Sequence, residues 1–337
     1  MSNQLADDED HIYYNINIRK GPENKGKPFR AEFDENRVEP VLNKPSDYVL
    51  AVVRFSIPSQ NIPIFIWKEN EFKVTISYQN FDFTTTLQWI PNSPGGSYDY
   101  FGPSIWNYQD FIDSINAGLL ASFNDFVAGT PAFAHKPTTA PYMIYTADSE
   151  LCSLIAEEKY DVSGTYADPV YIYFNSTLTT YFPALQNFEN ETDPLKTYYI
   201  KVKDNFNNVS VVGGITYYEV KEEYTTLFLW NDMQKILLET DSIPVNNELL
   251  GSQTNRTRKI ITDFEPLSNI NDRSQIQYFP QGPLRFYDLI SDYPLKRINL
   301  RFYWETKDGR IFPIYLNDYD NCSVKIYFKR KGEMIDY

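Results

Sequence analysis

Histidine is almost missing from this chain: His11 and His135 are the only two in 337 residues. A Ser/His/Asp or Cys/His device would have to use one of them. Neither stands near a nucleophile elbow or a papain-like cysteine. Cysteine is as scarce. Cys152 and Cys322 lie far apart, without the paired spacing of a zinc site or a secreted disulfide framework. The zinc-protease helix motif, the phosphate-binding loop and the dinucleotide fingerprint are absent as well. The sequence therefore calls for no cofactor and no resident metal. Long apolar runs are also lacking. The longest aliphatic stretch, around Val49 to Val53, falls far short of the ~20 residues that span a bilayer. The start of the chain, Met1 to Asp10, is polar and acidic, unlike a signal peptide, which points to use in a reducing, cytoplasm-like compartment. Positive charge is in the minority, with 31 Lys and Arg against 45 Asp and Glu and a net charge of −14. Such a chain repels phosphate backbones, which argues against direct nucleic-acid contact. No fixed-period repeat is present, which disfavours a propeller or solenoid.

What the chain has in abundance is aromatic side chains: 27 Tyr and 23 Phe bring the aromatic share to 16%, within 42% hydrophobic residues overall. Tyr, Phe, Val, Ile and Thr favour half-buried strands. The first strand pattern places Ile12, Tyr14, Ile16 and Ile18 on one face and Tyr13, Asn15, Asn17 and Arg19 on the other. From Tyr48 onward, Val49, Ala51, Val53, Phe55 and Ile57 alternate with Leu50 and Val52, a strand covered on both sides. Lys73–Tyr78 and Thr84–Ile90 read as a hairpin pair. In the final third, Ile298, Leu300, Phe302 and Trp304 alternate with Asn299, Arg301 and Tyr303, and Asp308-Gly309 signals a hairpin. The last strand has Cys322, Val324, Ile326 and Phe328 facing in, with Ser323, Lys325, Tyr327 and Lys329 facing out. One helix is predicted over Tyr108–Phe126, where Phe111, Ile112, Ile115, Leu119 and Phe123 recur at helical spacing. Gly118 inside it marks a close approach. The expected fold is all-β, a jelly-roll β-sandwich with one amphipathic helix and a β-rich insertion. Residues 1–10 form an acidic N-terminus and 11–337 one domain, with the insertion within about 128–255.

Several clusters invite a functional reading. Asn317-Asp318-Tyr319-Asp320-Asn321 gathers oxygen ligands, but lacks the spacing and glycine of an EF-hand loop and reads as an Asn/Asp turn. Lys325, Lys329, Arg330 and Lys331 form a basic patch, read as the solvated face of an edge strand. Acidic pairs suited to glycoside cleavage are as numerous as 45 carboxylates make by chance. The sequons at Asn175, Asn190, Asn208, Asn255 and Asn321 are chance as well. Aromatic residues beside turns, where burial is difficult, point to an interface. The candidates are Phe65, Trp67, Tyr98, Tyr100 and Phe101, with Ile12, Tyr14, Ile16 and Ile18 of the first strand as an edge that adds to a neighbour's sheet.

Four stretches together resemble the minor capsid, or penton, proteins of virophages and Polinton-like viruses. They are Pro40–Tyr48 leading into Val52-Val53-Arg54-Phe55 and Ile62-Pro63-Ile64-Phe65; Tyr108-Gln109-Asp110-Phe111 with Ile115-Asn116; Phe174-Asn175-Ser176 with Leu178 and Tyr181-Phe182-Pro183; and Thr262–Leu267, Pro294–Ile298, Trp304 and Ser323–Ile326. The resemblance spans about 12 to 330. It implies a jelly-roll subunit without catalytic residues, forming a homopentamer at the fivefold vertices of an icosahedral DNA virus. It also implies double-jelly-roll major capsid proteins as partners, and a place in the virion after assembly in the cytoplasm or nucleus of the infected host. The acidic N-terminus departs from the basic arm expected to meet a genome. The competing readings are a carbohydrate-binding or glycoside-cleaving β-sandwich and a trimeric viral attachment protein; the missing shaft repeat counts against the second.

Overall fold

The computed structural model describes residues 10–25, 27–90, 102–189, 196, 198–203, 208–249, 257–266 and 275–332. The chain divides into two compact units, Met1–Ile62 with Met233–Tyr337, and Pro63–Asp232.

The two main sheets of the first unit are built on eight strands: β1 His11–Arg19, β2 Glu32–Asn36, β3 Tyr48–Ile57, β4 Met233–Glu239, β5 Ile260–Phe264, β6 Ile276–Tyr278, β7 Arg297–Thr306 and β8 Asn321–Arg330. They pair in the order β1-β8-β3-β6 in one sheet and β2-β7-β4-β5 in the other, antiparallel throughout. The chain passes from sheet to sheet at nearly every step, and β8 returns to lie between β1 and β3. That order is the double Greek key of a jelly roll. Phe286–Asp288 also pairs with β3, and Ile311–Pro313 continues the second sheet along β7.

Alternation explains why these segments are strands. Ile298, Leu300, Phe302 and Trp304 of β7 are buried, as are Cys322, Val324, Ile326 and Phe328 of β8. The Phe55 ring joins the two sheets. It stacks on Tyr278 at 4.9 Å and meets Phe302 edge-on at 5.4 Å. The hairpin after β7 turns at Gly309, whose φ of 82° a side chain would strain.

In β3 the strict alternation fails. Lys325 pairs with Arg54 but Ile326 pairs with Val52, so Val53 is an extra residue in the ladder. This bulge swaps the faces. Phe55 and Ile57 point into the sandwich, and so do Leu50 and Val52, opposite Phe328 and Ile326. Val49 and Ala51 lie on the outer face with Lys329 and Tyr327. The common face predicted for Val49, Ala51, Val53, Phe55 and Ile57 is thus broken in the middle.

The second unit holds the long helix, α1 Tyr108–Gly129. Asn107 caps it, its side-chain oxygen accepting from Asp110 N at 2.9 Å. Phe111, Ile112, Ile115, Leu119 and Phe126 are fully buried against strands Lys73–Tyr78, Phe81–Thr86 and Tyr142–Thr146. A Cβ on Gly118 would overlap Leu87 Cδ2, and Leu87 is itself buried. Gly118→Val should therefore cost about 2 kcal/mol by overpacking, read as a lower urea midpoint at unchanged m. Besides a two-stranded pair of Phe65–Ile66 with Ser104–Ile105, the strands of this unit form two larger sheets. One runs Asn187–Glu189, Tyr198–Ile200, Val170–Phe174, Lys73–Tyr78, Phe81–Thr86; the other runs Asn208–Val212, Ile215–Lys221, Leu151–Glu157, Tyr142–Thr146. The partner of Lys73–Tyr78 begins at Phe81, three residues before the predicted Thr84, because Gln79 takes a φ of 52° and closes a tight turn.

This unit takes up 63–232, in the chain between β3 and β4. Its leading elements are as apolar as the sandwich, so no change of composition marks the boundary.

Glu222 is a buried carboxyl in the second unit, and desolvation raises its pKa. Its Oε2 accepts from Cys152 N at 2.8 Å and its Oε1 lies 2.6 Å from Thr226 Oγ1, which also lies 2.9 Å from the Tyr181 carbonyl. One hydroxyl proton cannot serve two acceptors. Burial favours the protonated form of Glu222, which can donate to Thr226 and leave its hydroxyl for the carbonyl. Folding then takes up a proton, so stability falls as pH rises from the unfolded pKa through the raised folded one. Glu222→Gln supplies the same donor and acceptor without a charge. It should gain on the order of 1 kcal/mol at neutral pH, and the gain should vanish in acid, as followed by melting temperature against pH.

Candidate assembly surfaces

The strand β1 lies at the outer edge of its sheet. Ile16 and Ile18 are buried and Ile12 and Tyr14 half-buried, because this face closes the sandwich. Tyr14 packs edge-on to Phe33 and its hydroxyl donates to the Glu35 carboxylate. Among the described residues no strand pairs with the far edge of β1. What the strand offers a neighbour is backbone and the side chains Tyr13, Asn15, Asn17 and Arg19.

Phe65 and Trp67 are not surface groups. They are 0% and 6% exposed and belong to the core of the second unit, where Phe65 meets Phe111 at 5.0 Å and Trp67 meets Phe72 at 5.0 Å. The nearby prolines do not prevent burial: the whole run from Ile62 to Trp67 is inside. Aromatic abundance in this unit is core packing, with Tyr181, Phe182 and Trp230 completing the cluster. Tyr98, Tyr100 and Phe101 lie outside the described residues.

The feature that sequence reasoning missed is a row across the outer face of the first sheet. Register places Tyr13 opposite Tyr327, Tyr327 opposite Ala51, and Ala51 opposite Phe286. Tyr13 stacks on Tyr327 at 4.6 Å, and Phe286 stands edge-on to it at 6.1 Å. Tyr13 is 54% and Phe286 44% exposed. Beside the row, Lys325 Nζ sits 4.5 Å from the Tyr13 ring centre, a cation–π contact. Arg54, opposite Lys325, is exposed. The outward placement of Tyr13 and Tyr327 was legible from alternation. Their juxtaposition with Phe286 depends on pairing between distant segments and was not.

The basic residues of the C-terminal strand therefore do not guard an edge. The strand β8 is interior, flanked by β1 and β3. Lys325 and Lys329 stand on the outer sheet face, while Arg330 pairs with Asp10 at 3.6 Å and Lys331 with Asp288 at 2.8 Å. In the loop 317–321, the Asp320 carboxylate accepts from Gln60 Nε2, Asn61 Nδ2 and Asn317 N at 3.1, 2.5 and 2.7 Å. Asp318 pairs with Lys20 at 2.8 Å. These bonds spend the oxygens on closing the loop. Among the described residues no group of three or more His, Cys, Asp or Glu is placed to hold a metal ion, and no helix is long and apolar enough to cross a membrane.

A family model described as Sputnik minor capsid protein V18/19 matches residues 12–330. The chain is similar to the structural protein V19 of the Sputnik virophage, with 25% identity over 204 residues, or 56% of this chain and 93% of that one. Among solved structures, it resembles a chain in the electron cryo-microscopy structure of the Sputnik virophage. There the TM-score is 0.79 and the identity 27%, over 96% of this chain and 98% of the other. It also shares its fold with the mavirus penton protein, at a TM-score of 0.72 and 16% identity over 96% of this chain and all of that one.

Proposed function

Because the chain belongs to the family of the Sputnik minor capsid protein V18/19, we propose that this virion structural protein is the vertex subunit of its capsid. It forms a homopentamer that closes each fivefold position and abuts the double-jelly-roll major capsid proteins around it. The observation that carries the reading is a single jelly roll interrupted once between β3 and β4. The same fold is found along the full length of the mavirus penton protein.

Binding does the work of such a subunit, with no catalytic step and no cofactor. In a ring of five, one face of each copy meets a different face of the next, and the rotation closes after five. The jelly roll supplies rigid sheet faces for those contacts. The net charge of −14 keeps free subunits apart until complementary patches meet. Both sheets hold their shape through interlocked side chains, so little ordering has to accompany assembly.

Native mass spectrometry of the purified chain over a range of concentrations and ionic strengths tests this. A species of five copies is expected to accumulate as concentration rises. A dimer or trimer that persists as the end state over the same range would overturn the reading.

A further inference from the structure

We infer that the outer face of the β1-β8-β3 sheet is the docking site for the acidic segment preceding β1 of a second copy of this chain. The inference rests on the ring-forming role above and says which surfaces meet.

The face has two properties that do not belong on an isolated, strongly acidic protein. Two rings of its aromatic row, Tyr13 and Phe286, are about half exposed. Its cations are also uncompensated. Among the described residues, Arg54, Lys325 and Lys329 have no carboxylate partner, although the chain carries 45 acidic groups against 31 basic ones. Asp10 and Asp288, at one corner of the face, are taken by Arg330 and Lys331. By contrast, each cation on the strands of the second sheet has a carboxylate: Arg297 pairs with Asp34, Arg301 with Asp241 and Lys235 with Glu305. The second sheet is electrostatically closed; the first is not.

The segment before β1 has the complementary composition. Leu5 and Ala6 are apolar and are followed by Asp7, Asp8 and Glu9. Leu5 suits the aromatic row, and the carboxylates suit the flanking Lys and Arg. Its reach is sufficient: nine extended residues span about 30 Å, whereas β1 to β3 is about 10 Å across. Attachment favours another copy's face over its own. Asp10 still follows the line of β1, its carbonyl accepting from Arg330 N at 3.0 Å, so a return to the same copy's face would need a reversal directly before Asp10. Residues 1–9 contain no Gly or Pro for a tight reversal.

The test uses full-length variants of two different masses, one carrying Asp8→Cys and the other Asn15→Cys, mixed and then mildly oxidised. Asn15 is exposed and opposite Lys325 on the face, and the native Cys152 and Cys322 are buried. A disulfide between copies of different mass is expected. Its yield should fall about tenfold when the Asn15→Cys copy also carries Arg54→Glu and Lys325→Glu, and should recover when the other copy carries Asp7→Lys and Glu9→Lys. Raising the salt on unreversed copies should weaken it as well. Sedimentation of the same samples reports ring formation separately. Rings without the intermolecular disulfide, or a disulfide indifferent to charge reversal and salt, would overturn the docking site and leave the fivefold role standing. Loss of rings in the unaltered chain would instead count against that role.

Discussion

Replacing Phe111 by alanine is expected to destabilise the protein by about 4 kcal/mol. Phe111 is fully buried on α1, and its ring is packed on several sides. Phe65 lies at 5.0 Å, Trp230 perpendicular at 5.1 Å, and Phe72 and Tyr181 each at 5.4 Å. Those neighbours come from separate segments of the second unit, and all are held by other contacts. Trp230 Nε1 donates to the Tyr181 carbonyl at 2.6 Å, for instance. The surroundings therefore cannot collapse into the space left behind, and the cavity term adds to the lost transfer energy. Phe111→Leu keeps most of the volume and should cost about 1.5 kcal/mol. Urea unfolding followed by tryptophan fluorescence measures both, since Trp67 and Trp230 line the same cluster. An alanine variant within 1 kcal/mol of the parent would mean that the aromatic cluster does not carry this unit.

Asn175→Ala should cost about 3 kcal/mol by a different route, stranding polar groups in the interior. Asn175 is buried and uses both ends of its amide. Its Oδ1 accepts from Lys73 N at 3.1 Å and from Leu178 N at 3.2 Å, and its Nδ2 donates to the Glu71 carbonyl at 2.6 Å. One side chain thus caps the short helix Ser176–Thr179 and ties strand Val170–Phe174 to the start of Lys73–Tyr78. Alanine leaves two N–H groups and a carbonyl without partners. Asn175→Asp keeps the acceptor but sets an oxygen against the Glu71 carbonyl, so it should rescue only part of the loss. Equal stability of the aspartate and asparagine forms would show that the Nδ2 contact contributes nothing. The same burial makes the Asn175-Ser176-Thr177 sequon unusable for glycosylation in the folded protein.

Much of the sandwich was legible in the sequence, for a physical reason. In β7 and β8 one face is apolar and the other mostly polar in residue type, so the period of two is written plainly in the sequence. The helix was legible because α1 presents a broad apolar stripe, and Gly118 is close-packed as its position suggested. Strand β3 was not, because apolar residues on both faces hide the bulge at Val53. The boundary of the second unit was hidden too. Its first elements, from Phe65 through the Lys73–Tyr78 strand, are as apolar as the jelly roll that they interrupt. Phe65 and Trp67 were misplaced for a related reason. Prolines beside aromatics suggested a surface loop, but Pro58 and Pro63 flank a short buried connection. The aromatic row of Tyr13, Tyr327 and Phe286 shows a third limit. Each residue's face could be read locally, whereas the row exists only through pairings hundreds of positions apart in the chain.

The central claim is a place in the particle: five copies of this chain around each fivefold axis. An icosahedrally averaged electron cryo-microscopy reconstruction of the particle that contains the chain decides it. The account predicts five single jelly rolls at every vertex, each with further density for residues 63–232 of the same chain. Vertices built from another protein, with this chain elsewhere in the shell or absent from it, would contradict the account.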